Sequence, residues 1–422
     1  MARWTAVTVR DSLRSVVTDI RPLRHSADYR RLWFGTTVSQ LGQQMTTVAI
    51  AIQVYALTHS SFSVGLVGLF GLFPLIAFGL YGGAVADAMD RRRLALYASA
   101  GLWLMSLVLL AQALLGLRQV WLLYAVVAVQ SACYAVNNPA RAAIIPRLLP
   151  PQLLPAANAL SMASFNIGFT VGPLVGALLI SWGSFASAYA VDAVTFTAAL
   201  YALYRLPPIP PEGGSTRAGL RSVLEGLRFL GRAPNLRMTF ILDLCAMVLA
   251  QPRALFPAMA VLVYGGGAAT VGLLQSAPAI GALVAFALSG WVSRVRRHGA
   301  AIAVAVLAYG AAVGLVGTTT ALWAGVVFLA LSGAADMVSA AYRSTILQVA
   351  APDALRGRLQ GVFIVVVAGG PRTGDFVAGS VATVTTERFA LVAGGCACVL
   401  GVVLAVWSQR RFLRYDAEHP TP

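Results

Sequence analysis

Long runs of apolar residues, each about the 20 residues that a helix needs to cross a bilayer, follow one another along most of the chain. Charged residues collect in the short stretches between these runs, and the runs lack the strict alternation typical of membrane β-barrel strands. The pattern predicts an all-α membrane protein with twelve transmembrane helices. The predicted spans lie near residues 32–57, 63–85, 94–115, 120–142, 155–181, 184–204, 236–262, 269–292, 299–317, 321–343, 358–382 and 388–408.

The overall composition excludes most other classes of protein. Of the 422 residues, 58% are hydrophobic and only 11% are charged, whereas soluble domains carry about 25% charged residues. A soluble enzyme, a disordered chain and a disulfide scaffold are therefore excluded. All 31 basic residues are arginine, and a P-loop needs lysine, so an ATP-driven motor is excluded as well.

Cysteine and histidine give no sign of a metal or catalytic centre. The four cysteines lie in apolar runs, where a free thiol behaves as a small buried hydrophobe, and the four histidines lie in tails and connections. We therefore expect no metal site, no cofactor and no enzymatic activity.

The arginines are distributed unevenly between the two sets of connections. Of the 31, 27 lie in the tails and in every second connection. Of the other four, Arg118 lies in an alternate connection, Arg388 lies at the edge of another, and Arg253 and Arg372 lie within spans. Because positive charge stays on the cytoplasmic side, both termini and the central connection are predicted to be cytoplasmic. The net charge of +16 then reflects topology in a multi-pass protein of the bacterial inner membrane, and no nucleic-acid partner is expected.

The central connection divides the chain into two halves. It opens with a proline-rich stretch typical of a linker, and apolar residues between Leu220 and Leu230 then recur on one helical face, which predicts an amphipathic helix on the membrane surface. The predicted units are a tail at 1–27, a six-helix bundle at 28–205, the linker at 206–235, a second six-helix bundle at 236–409 and a tail at 410–422.

The two halves resemble each other in sequence. Three features recur in the same order: Val64-Gly65-Leu66 as Val271-Gly272-Leu273, Arg141 near the end of span 4 as Arg343 near the end of span 10, and Gly172-Pro173-x-x-Gly176 as Gly370-Pro371-x-x-Gly374. They indicate a duplicated unit and predict two pseudo-symmetric six-helix bundles. Such bundles face each other across a central site in alternating-access transporters.

The connection after span 2 carries a spaced set of glycine and charged residues: Gly83, Asp87, Asp90, Arg91 and Arg92. Together with the six-plus-six repeat, this set resembles the major facilitator superfamily over most of the chain. The superfamily usually has glycine where Asp90 stands, and Asp-Arg-Arg there is more typical of its branch of macrolide and enterobactin-type siderophore exporters. The resemblance implies that Asp87 and Arg91 latch the halves together on the cytoplasmic side, with Asp87 at the positive N-terminus of span 11. A plain topogenic charge cluster is the alternative.

Span 5 carries Gly168, Gly172, Pro173 and Gly176. Glycines four apart form a flat strip that another helix can approach closely, and the proline removes one backbone hydrogen bond. The set is similar to the Gly-Pro motif of the superfamily's exporters, which favours export, although a generic packing strip would look the same.

Charges within spans are costly and normally face a cavity or a partner. Because the spans hold no histidine, a coupling proton would be carried by a carboxylate; Asp243 is the first candidate, Asp336 the second and Asp375 a third. Arg253 and Arg372 are their candidate charge partners, and matching depth predicts an Arg253–Asp375 ion pair. A purely structural ion pair is the alternative for these residues. Asp192 is expected to be structural, because span 6 usually lies away from the cavity in the superfamily.

Polar residues on the spans that line the cavity in the superfamily are candidates for contact with the substrate. They are Gln40, Gln44, Tyr134, Asn137 and Asn166.

These features together predict a monomeric secondary transporter in the lipid bilayer. It would export a small organic molecule, siderophore or drug-like as in multidrug efflux, by alternating access in exchange for protons. A proton-coupled importer of a small metabolite and a non-transporting sensor with the same fold are the alternatives.

The predicted orientation can be tested by cysteine labelling. With the four native cysteines removed, Ser215→Cys places a thiol in the central connection, where a membrane-impermeant maleimide should fail to label it in intact cells and should label it in opened cells. Efficient labelling of intact cells would overturn the orientation.

Overall fold

The computed structural model describes residues 19–210, 225, 228–290, 295–350 and 353–416, without the side chains of 80–88 and 350–365. The described residues form twelve long helical segments and one isolated β-bridge between Arg297 and Asp416. The segments are α1 Ala27–Thr58, α2 Ser61–Ala88, α3 Arg91–Leu114, α4 Val120–Leu148, α5 Leu154–Trp182, α6 Phe185–Tyr204, α7 Pro234–Leu262, α8 Ala268–Ala287, α9 His298–Thr318, α10 Leu322–Ala350, α11 Asp353–Val384 and α12 Glu387–Ser408.

Ten of these described segments are long and apolar enough to cross a membrane. The all-α membrane class is therefore confirmed. The two segments outside the ten, α1 and α11, are the longest, with 32 residues each. They carry polar residues in their middle parts, such as Gln40 and Gln44 on α1 and Arg372 and Asp375 on α11. A count of twelve crossings stays a prediction.

Side-chain caps define several helix starts. The Ser26 hydroxyl accepts from the Tyr29 amide at the start of α1 (3.1 Å), and the Asp90 carboxylate accepts from the Arg93 amide at the start of α3 (2.9 Å). Thr386 caps α12 in the same way. These side chains satisfy amides that the first helical turn leaves without a partner.

Segment α7 is broken, whereas the apolar run predicted one continuous helix over 236–262. A regular helix ends at Leu244, a π-helical turn follows over Cys245–Leu249, and a 3₁₀ turn over Arg253–Leu255 leads into a last helix from Phe256. Pro252 and Pro257 flank the second part of this break, and proline can neither donate a backbone hydrogen bond nor fit the helix interior without strain. The break lies next to Arg253.

Each half packs its helices in the same order. In the first half α1 packs against α5 and α6, and α4 packs against α2 and α3; in the second half α7 packs against α11 and α12, and α10 packs against α8 and α9. The α3–α6 contact also has its counterpart in α9–α12. The matching pairs agree with the duplication that the sequence indicates.

The halves meet mainly through two pairs of helices, α2 with α11 and α5 with α8. Successive helices run in opposite directions, so the connections near residues 90, 150 and 410 share one side, which we call the arginine-rich side. Those near 59, 117 and 183 share the arginine-poor side.

Glycines allow both contacts between the halves, and both contacts lie near the arginine-poor side. A Cβ on Gly65 of α2 would lie 2.6 Å from the carbonyl oxygen of Asp375 on α11, and one on Gly272 of α8 would lie 2.8 Å from that of Pro173 on α5. The Ser61 hydroxyl also donates to the Glu387 carboxylate across the two halves (3.0 Å). The described contacts therefore close the molecule at the arginine-poor side.

Most of the predicted amphipathic helix in the central connection lies outside the described residues. At the two ends of the connection, Ile209 is buried beside Leu32 and Leu94 of the first half, and Leu230 is buried within the core of the second half.

The closest helix approach in the first half predicts a stability difference between two glycine variants. In Gly176→Ala the new Cβ would lie 2.8 Å from Cα of Met45 on α1, whereas Gly79, also in a helix, has nothing within 4 Å. Overpacking of this kind costs about 1–3 kcal/mol, while alanine favours an open helical position by about 1 kcal/mol. Thermal unfolding in detergent should show Gly176→Ala less stable than the wild type and Gly79→Ala no less stable. Equal unfolding temperatures for the two variants would contradict the packing.

Candidate transport site

A buried arginine in the second half lies between two carboxylates. Arg343 of α10 is only 6% exposed; its guanidinium forms an ion pair with Asp243 of α7, and its Nη2 lies 3.3 Å from Oδ1 of Asp336 on α10. The Asp243 side chain is 4% exposed and that of Asp336 is 41% exposed. The two carboxylates therefore share one arginine; Asp243 is buried, whereas Asp336 is partly exposed.

The first half has an arginine in the same place with different partners. Arg141 of α4 donates from Nη1 to the hydroxyl of Thr36 (3.0 Å), from Nη2 to that of Ser99 (3.0 Å) and from Nε to Oδ1 of Asn137 (3.1 Å). None of the described carboxylates lies within 4.0 Å of it.

The helix registers show that the two arginines are equivalent positions of the repeat. Both α4 and α10 have 29 residues, and each arginine stands 21 residues after the first residue of its helix. By the same register Tyr134 of α4 corresponds to Asp336 of α10, both 14 residues after the helix start. Thr36 and Asp243 each stand 9 residues after the starts of α1 and α7. The two halves thus share an arginine and differ at both of these partner positions.

Sequence reasoning placed Arg141 and Arg343 among the topogenic arginines of the connections. Their helices do end near the arginine-rich side, but each arginine stands 7 residues before the last residue of its helix, which is about 10 Å inside it. The recurrence of the two arginines in the repeat was the available signal.

The expected ion pair between Arg253 and Asp375 is not formed, so that prediction is wrong. Oδ1 of Asp375 instead accepts a hydrogen bond from the backbone amide of Ala254 (3.1 Å), one of the amides that the break in α7 exposes. The Arg253 guanidinium lies 5.9 Å from the ring centre of Phe169 on α5 and within electrostatic range of Asp336 and Asp375. Arg253 therefore faces several groups and has a direct ion pair with none of the described carboxylates.

Arg372 of α11 lies at the contact between the halves. Its Nη1 donates to the carbonyl oxygen of Ala368 one turn earlier (3.1 Å), and its Nε lies against Gly71 of α2. Both Arg372 and Arg141 lie within electrostatic range of the Tyr134 hydroxyl.

A polar cavity of about 50 Å³ lies between α1, α3, α4 and α6. Three of the five predicted substrate contacts, Gln40, Tyr134 and Asn137, line it together with Arg141. The other two lie elsewhere: the Gln44 side chain packs against Gly172 of α5, and Asn166 is exposed on α5.

Comparison with known proteins shows the family to which the chain belongs. The family model described as transmembrane secretion effector matches residues 17–420. The chain belongs to this family of the major facilitator superfamily. It is also similar to bacterial proteins named enterobactin exporter EntS: 28% identical over 393 residues to that of Shigella boydii serotype 18, covering 93% of this chain and 94% of the relative. The identity is 27% over 410 residues to that of Citrobacter koseri, covering 97% and 98%.

Solved structures show the same fold. A mutant of the nucleoside transporter NupG superposes with a TM-score of 0.74 at 13% identity and covers 90% of this chain and 100% of its own. A POT family transporter in complex with 5-aminolevulinic acid also gives a TM-score of 0.74, at 11% identity, over 92% and 97% of the two chains. These likenesses show the fold, and membership of the family makes the protein a secondary transporter that exports a small molecule.

The exporter motif of α5 packs against α1 in this family member. Gly168, Gly172, Pro173 and Gly176 are all buried, and the three glycines lie against Gln40, Gln44 and Met45 respectively. The strip fixes α1 and α5 together, and α5 also packs against α8 at Gly272.

The described residues of the motif after α2 form hydrogen bonds with other residues of the first half. Asp90 accepts from the Ile209 amide (2.8 Å), Arg91 donates to the carbonyl oxygen of Ala143 on α4 (3.3 Å), and Arg92 donates to that of Leu203 at the end of α6 (3.2 Å). Arg91 thus makes no described contact with the second half. Gly83 and Asp87 belong to α2, but their side chains lie outside the described part, so the Asp87 latch stays a prediction.

Asp192 of α6 lies deep within the first half. Its Oδ2 accepts from the hydroxyls of Thr46 and Ser106, each at 2.7 Å, and its exposed fraction is 0%. These bonds join α6 to α1 and α3, as expected for a structural residue.

The ion pair between Arg343 and Asp243 predicts that a second substitution restores stability lost in the first. Removing one partner of a buried ion pair costs about 3–5 kcal/mol, so Arg343→Met should lower the unfolding temperature strongly. Adding Asp243→Asn removes the carboxylate that is left buried and should restore more than half of the loss. Arg147→Met, which removes an exposed arginine on α4, the counterpart of α10 in the first half, is the control and should change little. A double variant no more stable than Arg343→Met would show that the ion pair does not stabilise the fold.

Proposed function

We propose that this protein exports a small organic molecule, siderophore-like or drug-like, in exchange for protons, with its arginine-rich side facing the cytoplasm. The cluster of Asp243, Arg343 and Asp336 carries the proton-coupling part of this proposal. The similarity to enterobactin exporters supports the substrate class, and the excess of arginine supports the orientation.

The charges of the cluster suit it to hold one proton. Two ionised carboxylates and one guanidinium sum to −1, and one bound proton brings the sum to zero. Since a net charge is costly in a low-dielectric site, a buried cluster favours the protonated form, and access to water favours release of the proton. The side chain of Asp336 is 41% exposed, so a proton can reach this carboxylate, and Arg343 can then neutralise whichever carboxylate is ionised.

The closed side fits the first step of export. The described contacts join the halves near the arginine-poor side through α2–α11 and α5–α8, so a substrate would enter from the arginine-rich side. Under the proposed orientation that side is the cytoplasm. Rocking of the halves about the central site would then expose the substrate to the outside.

Accumulation in cells tests transport and its direction. A strain without the gene should retain more of the exported compound than the complemented strain, in a screen of siderophores and drugs, and an uncoupler should abolish the difference. Lower retention in the strain without the gene would indicate import instead.

Proton coupling is tested in proteoliposomes with the compound that this screen selects. Asp243→Asn cannot load and release a proton, so we expect gradient-driven export to fall more than tenfold while substrate binding and exchange without net flux persist. Asp192→Asn is the matched control, a buried acid outside the cluster, and should keep gradient-driven export.

Two other outcomes would correct the assignment. If export persists in Asp243→Asn and fails in Asp336→Asn, the proton is carried on α10 alone. If it persists in both, the cluster does not couple transport to protons, and Asp375 is the remaining candidate.

A further inference from the structure

The guanidinium of Arg141 is hydrogen-bonded but not neutralised by the described part of the protein. Its three partners, Thr36, Ser99 and Asn137, are uncharged oxygens. An arginine stays ionised in proteins, and a buried charge is stable only when it is paired or fully hydrogen-bonded. Its repeat counterpart Arg343 has two carboxylates in the same surroundings.

A count of donors shows what Arg141 can still bind. A guanidinium has five N–H groups, and the three described hydrogen bonds use the one on Nε and one on each terminal nitrogen. One N–H on Nη1 and one on Nη2 remain. Paired donors on arginine nitrogens match the two oxygens of a carboxylate, which they bind more strongly than a neutral acceptor.

The cavity beside Arg141 has room for such a group. Its volume of about 50 Å³ exceeds the roughly 10–15 Å³ that a single water needs, so a group of the size of a carboxylate fits. The lining side chains of Gln40, Gln43 and Asn138 can donate hydrogen bonds to oxygen. The cavity therefore suits the charged group of a larger molecule.

The charges around the cavity point the same way. Tyr134 lines the cavity, and Arg372 lies within electrostatic range of it. The described hydrogen bond of Arg372 goes to a backbone carbonyl and not to a carboxylate. Asp192, the described membrane-depth carboxylate of the first half, is held by Thr46 and Ser106. The cavity thus has an excess of positive charge.

We propose that Arg141 binds a carboxylate of the exported molecule, so that the substrates are small organic anions. This inference rests on the proposed function and adds the charge of the substrate and the residue, Arg141, that binds it. Tyr134 and Thr36, which stand where the second half has carboxylates, keep the site free of competing negative charge.

Equilibrium dialysis of the purified full-length protein in chloride-free detergent buffer tests the charge preference. The probes are benzoate and benzamide, which have the same shape and differ in charge. The wild type should bind benzoate at least tenfold more tightly than benzamide, and Arg141→Gln should lose this preference. Arg147→Gln makes the same change of charge on the same helix outside the cavity and should keep it. A wild type that binds both probes alike, or an Arg141→Gln variant that keeps the preference, would overturn the inference.

A second measurement needs no variant, in case Arg141→Gln fails to fold. Phenylglyoxal modifies accessible arginines, and peptide mass spectrometry reports the extent at Arg141. Benzoate should protect Arg141 of the wild type, and benzamide at the same concentration should not. Equal modification with both probes would refute the site.

The binding and export results separate the two proposals. An Arg141-dependent preference for benzoate in a protein that exports nothing in cells would support the anion site and refute the proposed function. Gradient-driven export by a protein that does not distinguish benzoate from benzamide would support the proposed function and refute the anion site.

Discussion

The requirement that a charge inside the membrane be neutralised or fully hydrogen-bonded organises this structure. It explains why Arg343 is held by two carboxylates and why the broken turn of α7 places a free amide against Asp375. It also explains the three neutral partners of Arg141. Because each arrangement joins different helices, the polar contacts determine which helix faces meet, while the apolar surfaces are interchangeable in lipid.

Close packing supplies the second constraint, because no hydrophobic force draws helices together in a bilayer. Glycine is needed where backbones approach: Gly176 against Met45 within the first half, and Gly65 and Gly272 between the halves. The described glycine contacts between the halves lie near the arginine-poor side. Such a seal can open when the halves rock, whereas the α1–α5 contact within a bundle has to persist through the cycle.

The sequence predicted the fold far better than the site. Apolar runs locate the spans, because a helix is the way a single segment satisfies its backbone in lipid. The length of the apolar run predicted one continuous helix, although Gln251-Pro252-Arg253 interrupts the run where α7 breaks and proline is disfavoured in a helix interior. The side on which Arg343 points also depends on rotation of α10 about its axis, which its packing against α8 and α9 determines. Asp192 likewise finds Thr46 and Ser106 at separations of 146 and 86 residues, which no local pattern encodes.

The two arginines show how a duplicated unit can acquire two tasks. Carboxylates at the positions of Thr36 and Tyr134 would neutralise Arg141, which would then have no uncompensated charge to attract an anion. Neutral groups in place of Asp243 and Asp336 would leave no carboxylate beside Arg343 to take up a proton. Under the two proposals, an arginine at the same position of each half has a different role because the residues at two neighbouring positions differ. Since each arginine lies in a different half, a rocking motion between the halves would move the proposed proton site and the proposed anion site relative to each other, as coupled transport requires.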